Sequence, residues 1–164
     1  MMRFATPAAR RSEGSDVRIL PDINALSIQL IADHPGHPYV AEHLVPALEG
    51  TDTLLLFGYL PLRVQWVLED LGQSTVDARN AIRSLLQYPT ESIEVAPETV
   101  LHAYDISVEK NHDVYDCFYV ALAREADADR LVTTDRDFET LCDDESFTYT
   151  NPVPESVLEE FHEV

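Results

Sequence analysis

The chain has 164 residues, 45% of them hydrophobic, enough for one domain with a substantial core and too apolar for a chain that stays disordered throughout. No window approaches the roughly 20 apolar residues that a helix needs to cross a bilayer, so a soluble, cytoplasmic protein is expected. Thirty acidic residues face 11 basic ones, a formal net charge of -19, and Lys110 is the only lysine; this argues against a simple basic-patch binder of nucleic acid and predicts a halophilic source, since carboxylates keep a surface hydrated and repulsion is screened within about 3 Å at 1 M salt.

The first 16 residues open with "MMRFATPAARRS", which carries three arginines and lacks the continuous apolar stretch of a secretory signal. They are expected to form a disordered leader ahead of a single domain over 17–164. "VRIL" then reads as a buried strand, and "INALSIQLIADH" sets Ile23, Leu26, Leu30 and Ile31 at helical spacing. "HPGHP" breaks that helix, and "YVAEHLVPALEG" predicts another ending at Gly50, with Pro46 set against its middle. "TLLLF" is a fully buried strand by its five-residue apolar run. Two helices follow in "LPLRVQWVLEDLG" and "STVDARNAIRSLLQYP", the second capped by Ser74 or Thr75.

"SIEVAP" predicts a third strand, and "PETVLHAYDISVEK" a helix with Pro97 at its first position. "DVYDCFYVALAREADA" is the strongest helical pattern, with Val114, Cys117, Phe118, Ala121 and Leu122 along one stripe. "RLVTT" is a fourth strand, "DFETLC" a short helix, "FTYTNP" an edge strand and "PESVLEEFHEV" a terminal helix. Strands alternating with helices imply a three-layer α/β/α domain on a mostly parallel central sheet. Ligands bind such sheets beyond the carboxyl ends of the strands, where Asp22 and Asp135 both fall. Cys117 and Cys142 form no CxxC pair and read as reduced, packed thiols.

Each aspartate has a structural explanation taken singly: Asp113 and Asp116 suit a helix opening, and Asp22 and Asp135 suit caps. Their combination points elsewhere. Carboxylates gathered from distant segments raise one another's pKa, a cost most readily tolerated when a cation sits between them. An all-oxygen ligand set favours a hard ion, Mg2+ or Mn2+, and with it metal-assisted phosphodiester hydrolysis.

"ILPDINAL" near the start and "YDCFYVALAREADADRLVTTDRDF" near the end, joined by the alternating α/β pattern, resemble a PIN domain, in particular the VapC-type toxins, over roughly residues 17 to 151. The resemblance implies a single-strand ribonuclease that holds Mg2+ or Mn2+, often a homodimer, with a cognate antitoxin that blocks the site. Carried over by position, it implies Asp22 and Asp116 as principal metal ligands, Asp135 as the third, Asp137 as an auxiliary acid, and Asn24 as a residue that fixes the Asp22 loop. The family's usual glutamate after the second strand is missing: Arg63 stands about there, with Glu69 and Asp70 about two turns further on. An arginine there either pairs with the acids, weakens cation binding, holds a phosphate, or faces solvent. The alternative to an endoribonuclease is therefore a degenerate PIN-like module that binds protein or RNA; a phosphatase or DNA nuclease is a third.

Other candidates carry weaker signals. His34 and His37, with Asp33 and His43 nearby, have metal-like spacing, but a proline-broken turn explains them better. His112 could reach the site as a proton donor, with a surface histidine as the plainer reading. Trp66, Tyr115 and Tyr119 could stack on bases, with core or dimer packing as the plainer reading of Trp66.

Overall fold

A computed structural model describes residues 16–161. The expected leader lies almost wholly outside them. Five strands form one sheet: β1 (Arg18–Pro21), β2 (Thr53–Phe57), β3 (Thr90–Ile93), β4 (Arg130–Val132) and β5 (Thr148–Thr150). Their order is β3-β2-β1-β4-β5 and every pairing is parallel, with Ile19 opposite Leu54 on one side and Arg130 on the other. The helices are α1 (Ile23–Gln29), α2 (His37–Leu48), α3 (Leu60–Asp70), α4 (Thr75–Leu85), α5 (Pro97–Lys110), α6 (Val114–Glu125), α7 (Asp137–Leu141) and α8 (Glu155–Phe161). Right-handed crossovers put α1–α4 on one face, and the return from β3 to β4 puts α5 and α6 on the other. Among the described residues no helix is long and apolar enough to cross a membrane.

Strands β1 and β2 are buried along their whole length: every residue of each is buried, including Arg18 in β1. Leu26, Leu44, Leu60, Val64 and Leu68 pack from one side and Val120, Ala121 and Leu122 from the other. Burial of each such leucine contributes about 1.5–3 kcal/mol. Ser74 caps α4 through Asp77 N–H, as its position predicts. Pro46 does not break α2, whose buried stripe of Val40, Leu44, Ala47 and Leu48 holds it to the core. Strand β3 lies two residues earlier than its pattern suggests, because it is half exposed and its burial does not alternate. Helix α1 stops at Gln29, where Leu30 and Ile31 turn back to the carbonyls of Ser27 and Ile28.

The feature least legible in the sequence is Arg18, the one charge inside "VRIL". It is 1% exposed and holds both Glu91 carboxylate oxygens at 2.9 and 2.7 Å. Its remaining donors reach the carbonyls of Ala126 and Asp127. It thus ties β1 to β3 across β2 and fastens the end of α6. Arg18→Met should destabilise the fold by about 3 kcal/mol, the low end of the range for a broken buried pair, because Glu91 keeps partial contact with water. Chemical denaturation measures it, and a loss under ~1 kcal/mol would show the pair to be dispensable.

Candidate metal-binding site

Strand order reverses between β1 and β4, so the crevice beyond their carboxyl ends is the switch point at which open α/β sheets bind ligands. Asp22 follows β1 and Asp135 follows β4, both at that crevice. The link between them is Thr133, fully buried, whose hydroxyl donates to Asp22 Oδ2 at 2.6 Å and accepts from Asp135 N–H at 3.0 Å. The Asp22 backbone closes the same corner by donating to the Val132 carbonyl at 3.0 Å.

Asp22 serves as cap and as candidate ligand at once. Its Oδ1 accepts from Ala25 N–H at 2.8 Å, and the side chain is 3% exposed. Burial pushes its carboxyl up to about 6, against the two hydrogen bonds and with help from the Asp135 and Asp116 charges. Asp116 sits in the first turn of α6, behind the Asp113 cap that accepts from Tyr115 and Asp116 N–H. Burial raises its carboxyl too; His112 opposes the shift, and Asp135 adds to it. Asp135 Oδ1 accepts from Asp137 N–H at 2.9 Å, a local turn bond, while Asp137 itself is exposed at the start of α7.

The charges of Asp116 and Asp135 both act on Asp22, and that of Asp135 on Asp116, so carboxylates from three segments meet at one sheet edge. Their oxygen-only donors, and the cost of keeping them charged together, suit a hard divalent cation. They are not closed round one as they stand. Among the described residues no group of three His, Cys, Asp or Glu side chains has a metal-holding geometry. Asp116 Oδ2 is turned to His112 Nε2 at 3.1 Å, and Asp135 is engaged with the Asp137 backbone.

Arg63 neither pairs with the acids among the described residues nor stands free in solvent. Its guanidinium lies over the Tyr115 ring, 4.6 Å from the centroid. Among the described residues it makes no ion pair. Its Nε and the Tyr115 hydroxyl are both buried and neither finds an aligned hydrogen-bond partner. Burial raises the Tyr115 hydroxyl's pKa while the Arg63 charge draws it down. Glu69 is held at the end of α3 by Gln65 and Thr75 and does not stand in for the absent glutamate. Asn24 is exposed and does not brace the Asp22 loop; the Tyr119 hydroxyl does, accepting from Ile23 N–H at 3.2 Å.

His112 is no ordinary surface histidine, since it is half-buried against Asp116. Trp66 is 70% exposed and so is not core, whereas Cys117 is buried as expected. The His34 segment is a turn, with Nδ1 accepting from Gly36 N–H, and gathers no metal-holding group. Thr133 is a site residue that sequence reasoning missed, the doubled threonine before Asp135 being its one signal; Tyr119, read from sequence as a base-stacking candidate, instead braces the loop after Asp22. A cavity of about 690 Å3 opens beside Asp135, floored by Ile28, Ile31, Val67, Leu71 and Leu158 and edged by Asn24, Thr134, Asp135, Arg136 and Asp137; of the three acids only Asp135 lines it.

The PIN domain family model matches residues 19–143 of the chain. No curated protein matches the sequence. Among solved structures, the fold is similar to VapC20 of Mycobacterium tuberculosis, a sarcin-ricin loop cleaving toxin, at 15% identity and a TM-score of 0.60, over 74% of this chain and 93% of that one. It is similar to VapBC2 of Rickettsia felis, solved with a DNA fragment from its promoter, at 14% identity and a TM-score of 0.61, over 82% of this chain and 98% of that one. PAE2754 of Pyrobaculum aerophilum aligns at 18% identity and a TM-score of 0.54, over 91% of this chain and 99% of that one. At these identities the likeness is one of fold.

Proposed function

The chain belongs to the PIN-domain family, and on that premise we propose that it is a metal-dependent endoribonuclease, the toxin of a toxin–antitoxin pair, with Asp22, Asp116 and Asp135 as its metal ligands. The observation that carries this reading is the buried Asp22 carboxyl at the switch point, raised to about 6 by burial first and by the nearby Asp135 and Asp116 charges in addition. A bound Mg2+ or Mn2+ would supply a polarised phosphate oxygen and an activated water. The chain's own part is positioning. Thr133 and Ala25 N–H fix both oxygens of Asp22, the Asp113 cap fixes the turn that presents Asp116, and Asp135 and Asp137 edge the cavity where a nucleotide would lie.

The experiment offers single-stranded RNA, duplex RNA, DNA and small phosphoesters side by side, with Mg2+, with Mn2+ and with chelator, in molar KCl. Cleavage of single-stranded RNA that chelator abolishes is the expected result. Cleavage of DNA or phosphoesters alone would redirect the assignment, and no cleavage of any substrate would favour the degenerate module that Arg63 makes a real alternative.

The partners follow from surface and charge. Leu62 and Trp66, one turn apart on α3, are 71% and 70% exposed, a pair that a second copy of the chain would cover. Trp66→Glu should convert a homodimer to a monomer, read by light scattering after gel filtration; a dimer retained by the variant would place the interface elsewhere. An antitoxin would meet a chain of net charge -19, so its contact segment should be basic.

A further inference from the structure

Arg63 is an unspent cation in a chain with 30 acids. Three other arginines are each bound to a glutamate: Arg18 to Glu91, Arg124 to Glu145 and Arg136 to Glu155. Among the described residues Arg63 has no such partner, is only half exposed, and buries a donor, Nε, that nothing accepts. Its place is fixed all the same, because the Tyr115 ring lies beneath it at 4.6 Å.

That place adjoins the acids without neutralising them. Tyr115 immediately precedes Asp116. The Tyr119 hydroxyl, which braces the residue after Asp22, feels both the Asp22 charge and the Arg63 charge. Val67 and Leu71, which wall the cavity beside Asp135, continue the α3 stripe that begins at Arg63. A polyanion laid along this stripe would reach Arg63 at one end and Asp135 at the other.

We propose that Arg63, held over Tyr115, is the site's phosphate anchor: it binds a backbone phosphate of single-stranded RNA next to the one attacked. The guanidinium offers paired N–H donors that suit a phosphate. It also adds positive charge near an acidic site whose cavity-edging arginine, Arg136, is already paired with Glu155. The inference rests on the ribonuclease reading for the identity of the ligand.

The test measures RNA cleavage in Mn2+ across a salt series for wild type, Arg63→Gln, Arg63→Lys, Tyr115→Phe and Tyr115→Leu. Arg63→Gln should lower kcat/KM by about 10- to 100-fold, chiefly through KM. The slope of log kcat/KM against log salt should flatten by about 0.7, the value of one single-strand phosphate contact. Arg63→Lys should restore the slope and part of the rate. Tyr115→Leu, which removes the ring beneath Arg63, should weaken binding, and Tyr115→Phe, which keeps the ring, should weaken it less. Mn2+ affinity without RNA should not fall in Arg63→Gln. A wild-type KM and salt slope in Arg63→Gln would overturn the anchor while leaving the nuclease intact. If wild type cleaves nothing, anisotropy with labelled RNA reads the same slopes: an Arg63-dependent slope then keeps the anchor and sinks the nuclease, and a wild type that neither cleaves nor binds RNA sinks both.

Discussion

Asp116→Asn should lower metal-dependent RNA cleavage by on the order of 10^3-fold or more, the several kcal/mol of transition-state stabilisation that a catalytic ion provides. The fold should not suffer. Asp116 caps nothing; the capping oxygens belong to Asp113, and among the described residues the Asp116 side chain hydrogen-bonds only to His112. Burial already disfavours its charge, so an uncharged amide of the same shape leaves the apo protein as stable or slightly more so. Cleavage assays and thermal unfolding of the same preparation check both halves. An active variant would remove Asp116 from the site, and an unfolded one would show that its carboxylate is structural.

Asp22→Asn should act in two directions at once. The folded state holds the Asp22 proton up to about 6 against an ordinary value of 3.8, so it binds protons more tightly than the unfolded chain. The metal-free protein therefore loses stability as pH climbs from about 4 to about 6, and above that range the loss is complete, about 3 kcal/mol for this buried group. Asparagine keeps the cap on Ala25 N–H without the charge. Allowing for a weaker bond to Thr133, the variant should gain about 2 kcal/mol at pH 7.5, or ~4–8 °C in unfolding midpoint. Its pH profile should flatten across that window. Cleavage should vanish with the ligand. Lower stability for the variant at pH 7.5 would mean that the Thr133 and Ala25 bonds outweigh burial and that Asp22 is a structural cap.

Much of this fold was legible because its central strands and α6 bury nearly everything they contain. "RIL", "TLLLF" and "CFYVALA" can be read from apolar content alone, and they fix the sheet's middle and its neighbour. Strand β3 was misplaced by two residues because an edge strand satisfies no such pattern. Asp22, Asp116 and Asp135 could be picked out because each ends a strand or opens a helix. What the sequence could not show is how the acids are held. Thr133 joins Asp22 to Asp135 only when β1 and β4 pair, and Arg63 settles on Tyr115, 52 positions away, only when α3 and α6 meet at one edge. Arg18 was hidden for the same reason, since its partner Glu91 lies two strands away.

Three carboxylates that repel one another in the apo protein should be joined by a bound ion. Titration of Mn2+ against the thermal midpoint at pH 7.5 in molar KCl, for wild type and Asp22→Asn together, tests this most directly. Wild type should rise by about 2.7 kcal/mol of stability when metal reaches 100 times its dissociation constant, while Asp22→Asn starts higher and stays level. A wild type that does not respond at millimolar Mn2+, or a variant that rises in parallel with it, would contradict a metal site at Asp22.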